Sequence, residues 1–201
     1  MKLGLFLCAL LLRPALALPA DEPKEFPALK NAIILVIRHA EKPDSGPGLS
    51  PPGEQRAQLY VDYFKKFTLD STPLKIDSIF AAADSKASSR PRLTIEPTAK
   101  ALSLTIDNRF KDKEFKELAD ELRSKPHGHV ILVAWHHGEI PELVHALGAD
   151  SAKLILDDKW PSDVFGWVIA LRYDEKGQLV DAKRINENLL PDDSDKKASK
   201  P

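Results

Sequence analysis

The sequence predicts an α/β domain of three layers: a mostly parallel sheet flanked by helices, with a late β-hairpin. Three observations predict it. Ile33-Ile34-Leu35-Val36-Ile37 and Val130-Ile131-Leu132-Val133-Ala134-Trp135 are unbroken apolar runs, the pattern of strands buried on both faces rather than on one. Segments between and after them carry apolar residues at helical spacing, and alternating strands and helices favour a parallel sheet. Near the end, two β-rich runs flank Asp174-Glu175-Lys176-Gly177, which is hairpin chemistry.

The first twenty residues stand apart from this domain. Met1-Lys2 is a short basic start, Leu3 to Leu12 is almost wholly apolar, and Ala15-Leu16-Ala17 offers a small-x-small cleavage site, with Leu18-Pro19-Ala20 as a second. That is the layout of a signal peptide over residues 1–20, which predicts a secreted or periplasmic protein. The apolar run falls well short of the roughly twenty residues a spanning helix needs, and Arg13 interrupts it, so no stable membrane insertion is expected after cleavage. Cys8 is the only cysteine and lies in this segment; a mature chain could hold neither a disulfide nor a thiolate metal site. Residues 21–30 are polar with two prolines and read as a linker, leaving 31–190 as the folded domain.

Within that domain, Ile33–Ile37 is the first strand. Ser50 is a suitable cap for a helix opening on Pro51-Pro52, and Ala57, Tyr60, Val61 and Phe64 carry the helical period to about Phe67. Ile76 to Ala83 reads as a second strand, Thr94 to Leu102 as a helix despite Pro97, and Phe115 to Leu122 as an amphipathic helix. Val130–Trp135 is the next buried strand, and Pro141 to Leu147 starts a helix closed by Gly148. Val164 to Tyr173 and Leu179 to Ile185 form the hairpin. The tail over 191–201 is charged and lacks apolar side chains apart from Ala198, so it is expected to be disordered.

Function is concentrated where the buried strands end. The first runs straight into Arg38-His39-Ala40-Glu41-Lys42 and the later one into His136-His137-Gly138-Glu139. In open α/β sheets, ligands bind at the carboxyl ends of strands. Asp84-Ser85-Lys86-Ala87-Ser88-Ser89-Arg90-Pro91-Arg92 follows a third strand end, so Arg38, one or both of Arg90 and Arg92, and a second imidazole could gather at one spot. Guanidinium forks suit phosphoryl oxygens and stay charged at any working pH. Cations beside a histidine disfavour imidazolium, leaving His39 neutral and able to attack phosphorus. No metal or cofactor is required by this scheme. Either His136 or His137 could be the second imidazole.

These residues resemble the histidine phosphatase superfamily, whose members share the phosphoglycerate-mutase-like fold. Arg38-His39-Ala40-Glu41 is similar to its Arg-His-Gly motif, with alanine for glycine as in an Arg-His-Ala-Glu subset. Arg90-Pro91-Arg92-Leu93-Thr94-Ile95-Glu96 resembles its second arginine segment, in which a threonine follows the arginine by four and a glutamate by six, so the resemblance selects Arg90 over Arg92. Ile131 to His136 and the helix from Ile140 resemble its later strand and histidine. The resemblance implies a phosphohistidine on His39, with Arg38, Arg90 and His136 around the phosphate. It leaves the proton donor open between Asp112, where many members carry glutamate, and Glu139 beside His136. Trp135 stands where the family often has glycine.

The expected activity is therefore metal-independent hydrolysis of a small phosphorylated substrate; a phosphomutase and a non-catalytic phospholigand-binding module are the alternatives. Basic residues are scattered among the acids, for a net charge of -1, and do not interleave with aromatics, so no nucleic-acid partner is expected. His127 and His129 precede their strand and belong to the opposite sheet edge from His136. Substrate choice is expected to lie in the loops 43–52, 111–115 and 157–163, with oligomeric state unspecified.

Overall fold

The computed structural model describes residues 27–193, so the signal-like segment with Cys8, most of the linker and residues 194–201 lie outside the described residues. The α/β class and the late hairpin are borne out. In chain order the main elements are β1 (Ile33–Arg38), α1 (Pro51–Lys65), β2 (Thr68–Leu69), β3 (Thr72–Pro73), β4 (Ser78–Ala81), α2 (Arg90–Leu102), β5 (Ile106–Asp107), α3 (Phe115–Ser124), β6 (Val130–Trp135), α4 (Ile140–Ala146), α5 (Ser151–Leu154), β7 (Trp167–Tyr173) and β8 (Leu179–Asn186).

Six strands form one sheet in the order β5-β4-β6-β1-β7-β8. The first four run parallel, and β7 joins β1 antiparallel before turning back into β8. Side chains alternate across this sheet. Ile34, Val36, Ile131 and Val133 face α3 and α4, packing on Leu118, Leu122, Leu143 and Val144. Leu35, Ile37, Leu132 and Ala134 face α1 and α2, packing on Tyr60, Phe64, Ile95 and Ala99. Both faces of β1 and β6 are thus covered, which is why their sequences carry no polar alternation. Each large aliphatic side chain buried there contributes about 1.5–3 kcal/mol.

Local chemistry sets the helix starts. Ser50 caps α1, its Oγ accepting from the Gly53 N–H at 3.3 Å, with Pro51 in the first turn. The second helix begins at Arg90, four residues before the sequence-based start, because Pro91 fits a first turn where no N–H is needed. At the N-terminal side, Leu29 in the linker segment is fully buried in the core. At the other end, Pro191–Asp193 form a 3-10 turn that closes onto α1, so the packed structure reaches past residue 190. Among the described residues, no helix is long and apolar enough to cross a membrane.

Register fixes the edge on which chemistry can occur. Arg38 pairs with Trp135 and Ala81 with Ala134, so the residues following β1, β4 and β6 leave the sheet on one side. Because β7 is antiparallel, the loop before it arrives at that same side, with Ile37 opposite Val168.

Candidate active site

His39 sits at this edge, 3% exposed, held by its backbone N–H to the Trp135 carbonyl at 2.9 Å. Its Nδ1 lies 2.7 Å from the Ala40 carbonyl. A carbonyl only accepts, so Nδ1 carries the proton and Nε2 keeps its lone pair. Burial pushes the imidazole down to about 3 against the opposing Ala40 hydrogen bond, and the charges of Arg38, His136 and Arg90 add smaller amounts to the lowering. The ring is therefore neutral at ordinary pH.

Two further imidazoles approach it edge-on. The His136 ring centroid is 5.1 Å away and that of His137 is 6.5 Å away. Burial lowers His136, with Asp112 and Glu139 opposing and Arg90 and Arg38 reinforcing. Burial and Arg38 lower His137 to about 4.

Two arginines act on these rings through their charge. Arg38 is 1% exposed, and its Nη1 donates to the carbonyls of Pro161, Ser162 and Val164 at 3.1, 2.9 and 2.8 Å. Its guanidinium carbon stacks 3.8 Å from the centre of the Phe165 ring. Burial lowers Arg38 to about 10, so it stays protonated at neutral pH. Arg90 donates weakly through Nη1 to the Gly46 and Ala87 carbonyls at 3.3 and 3.4 Å. The Nε atoms of both arginines are buried and have no partner among the described residues. Nearly all buried donors in folded proteins are satisfied, and an unmatched one costs about 1–3 kcal/mol. Two such donors beside a neutral imidazole suit an incoming oxyanion.

Thr94 ties these parts together. Its Oγ1 accepts from the Ala40 N–H at 2.8 Å and donates to the Arg90 carbonyl at 2.7 Å. The four-residue spacing from Arg90 is one helical turn, which is what lets a single hydroxyl link the start of α2 to the end of β1. Arg92 turns the other way, to Asp84 at 2.8 Å and Glu96 at 3.2 Å, and takes no part.

The carboxylates differ in their commitments. Glu139, 9% exposed, is salt-bridged to Lys113. The Asp112 carboxylate accepts the Lys113 backbone N–H at 3.0 Å, while its carbonyl accepts Trp135 Nε1 at 3.0 Å. Trp135 thus fixes the Asp112 backbone beneath the site instead of crowding it. His127 and His129 precede β6, at the far sheet edge; the His127 ring lies 5.0 Å from that of Phe80.

One group escaped the sequence reading entirely. Arg56 in α1 is 1% exposed and meets three carboxylates: Glu41 at 2.7 Å, Glu187 at 3.3 Å and Asp193 at 2.6 Å. The Tyr60 hydroxyl donates to Glu187 at 2.9 Å. Glu41 is two residues from His39, so this cluster anchors the strand end from beneath. Only the position of Glu41 behind Arg38-His39 hinted at it.

No family model matches the chain, and no curated protein matches it either. Solved structures do. Phosphoglycerate mutase from Plasmodium falciparum is similar at a TM-score of 0.52 and 16% identity, covering 80% of this chain and 92% of that one. SixA from Agrobacterium tumefaciens, described as a phosphohistidine phosphatase, is similar at 0.50 and 15% identity, covering 76% and 97%. Both carry the architecture that the Arg38-His39 and Arg90 segments led us to expect, and the chain has the phosphoglycerate-mutase-like fold.

Proposed function

We propose that the protein is a phosphomonoester hydrolase working through a phosphohistidine on His39. The observation that carries the proposal is the neutral imidazole with a free Nε2 between two arginines whose buried Nε donors lack partners. Arg38, Arg90 and His136 hold the non-bridging oxygens. The Nε2 lone pair attacks phosphorus, the bond to the ester oxygen breaks, and the departing alkoxide takes a proton from a carboxyl group. Water then attacks the phosphoimidazole, its proton returns to the carboxylate, and phosphate leaves with His39 neutral again. The guanidinium groups carry the charge of the transferring group throughout.

We assign the proton transfers to Asp112 rather than Glu139. Glu139 is salt-bridged to Lys113, whereas the Asp112 carboxylate accepts a backbone N–H and exerts the stronger field on His136. The signal-like layout of the first twenty residues supports a site of action outside the cytoplasm.

Acid trapping of labelled phosphate after reaction with an aryl phosphate, mapped to a residue, is the test. Label on His39 is expected, and His39→Ala should lower turnover by roughly three orders of magnitude or more. Undiminished turnover by that variant refutes the assignment. Asp112→Asn should slow alkyl esters more than p-nitrophenyl phosphate, whose leaving group needs no proton; Glu139→Gln should not discriminate between them.

A further inference from the structure

On His137, whose ring centroid is 6.5 Å from that of His39, opens a pocket of about 310 Å³ whose walls also include Glu142, Asp158, Lys159 and Trp160. It touches the phosphoryl site from two directions. His137 is shared with it, and Trp160 opens the loop whose next residues, Pro161, Ser162 and Val164, hold Arg38. Trp160 donates its Nε1–H to Val164 at 2.8 Å, so it offers the pocket carbon only. His137 Nδ1 is buried and has no partner among the described residues.

We propose that this pocket receives the leaving group and that His137 selects it, favouring phosphate monoesters of small polar alcohols that carry no negative charge. The inference rests on the phosphatase assignment above. A pocket of this size suits a small alcohol. A neutral imidazole in the pocket wall can hydrogen-bond a hydroxyl or amine of the alcohol, and it discriminates against analogues lacking that group. Glu142 and Asp158 against Lys159 on the remaining wall weigh against a second anion, and so against sugar acids, although Arg38 and Lys42 also act on His137. His137 is not a proton source: Arg38 and burial keep it neutral. It binds, while the carboxyl group of the mechanism supplies the proton.

The test compares 1-propyl phosphate, glycerol 1-phosphate, O-phosphoethanolamine and 3-phosphoglycerate, whose alkoxide leaving groups all need a proton, and reads each ester ratio between wild type and variants so that intrinsic differences in basicity cancel. The wild type should prefer the glycerol and ethanolamine esters in kcat/KM. His137→Ala should lower the glycerol-to-propyl ratio about tenfold, the worth of one hydrogen bond, and His137→Asn should restore part of it. The double variant Glu142→Gln, Asp158→Asn should raise 3-phosphoglycerate relative to propyl phosphate several-fold. Ratios that stay constant across the variants overturn the pocket assignment while leaving the phosphatase intact. Absence of turnover for every ester, with no label on His39, overturns the phosphatase assignment itself.

Discussion

Replacing Glu187 by glutamine should remove a large part of the pH dependence of stability. Glu187 lies at the end of β8 with its carboxylate fully enclosed beside Arg56. Burial pushes its carboxyl up from 4.5 to about 8; Arg56 and the Tyr60 hydroxyl oppose that rise, and Asp193 adds to it. A group whose value rises on folding binds an extra proton in the folded state between those limits. Its contribution is complete below about pH 4.5 and is lost as pH climbs to about 8. Between about pH 5.5 and about pH 7.5, this single carboxyl should remove roughly 2.5 kcal/mol. Glutamine mimics the protonated acid, can accept from Arg56 and can pair with Tyr60, but cannot ionise. Urea unfolding of both proteins at the two pH values measures the effect. The stability of the wild type relative to the variant should fall by roughly 2.5 kcal/mol across that interval. Parallel pH dependence in the two proteins would refute the account of the cluster.

Other expectations concern the strand end. Thr94→Val strands the buried Ala40 N–H and should cost about 1–3 kcal/mol in unfolding free energy, with a fall in kcat because His39 loses its brace. Gly53→Ala drives a Cβ into the Glu41 backbone, whose carbonyl is already tied to Ser50, so a loss of about 1–3 kcal/mol by thermal denaturation is expected. The His39 ring should remain the neutral Nδ1–H tautomer at about pH 5 in nitrogen NMR, since its protonation falls near 3 rather than 6.5. Phe165→Ala removes the face on which Arg38 stacks, and inhibition by inorganic phosphate should weaken by roughly twofold to tenfold.

Much of the architecture was legible because burial on two faces leaves an unmistakable mark: Ile33–Ile37 and Val130–Trp135 have no polar residue to hide. Strands of two residues, such as Ile106–Asp107, carry no period to detect. The start of α2 was obscured because Arg90-Pro91-Arg92 reads as loop chemistry, and only the tertiary setting turns its proline into a first-turn residue. The rule that parallel strands deliver their ends to one edge brought Arg38, His39, the Arg90-Pro91-Arg92 segment and the His136-His137 pair together; the choice within the last two came from the family resemblance. Arg56 could not. Its partners Glu187 and Asp193 lie 131 and 137 residues away, and Asp193 falls in a segment whose composition resembles a solvated tail.

The central position of β1 shapes how the molecule must assemble. Its neighbours on the two sides begin pairing at Val130 and end at Arg172, so the strand ending in Arg38 emerges early during synthesis and waits for both. Its keystone cation, Arg56, waits longer still, for Asp193. Such remote pairings give a high contact order, and loop closure makes folding slow relative to a helical bundle of this size. Until Asp193 has been made, the strand end that carries His39 lacks its anchor, so the proposed nucleophile is set in place only as folding is completed.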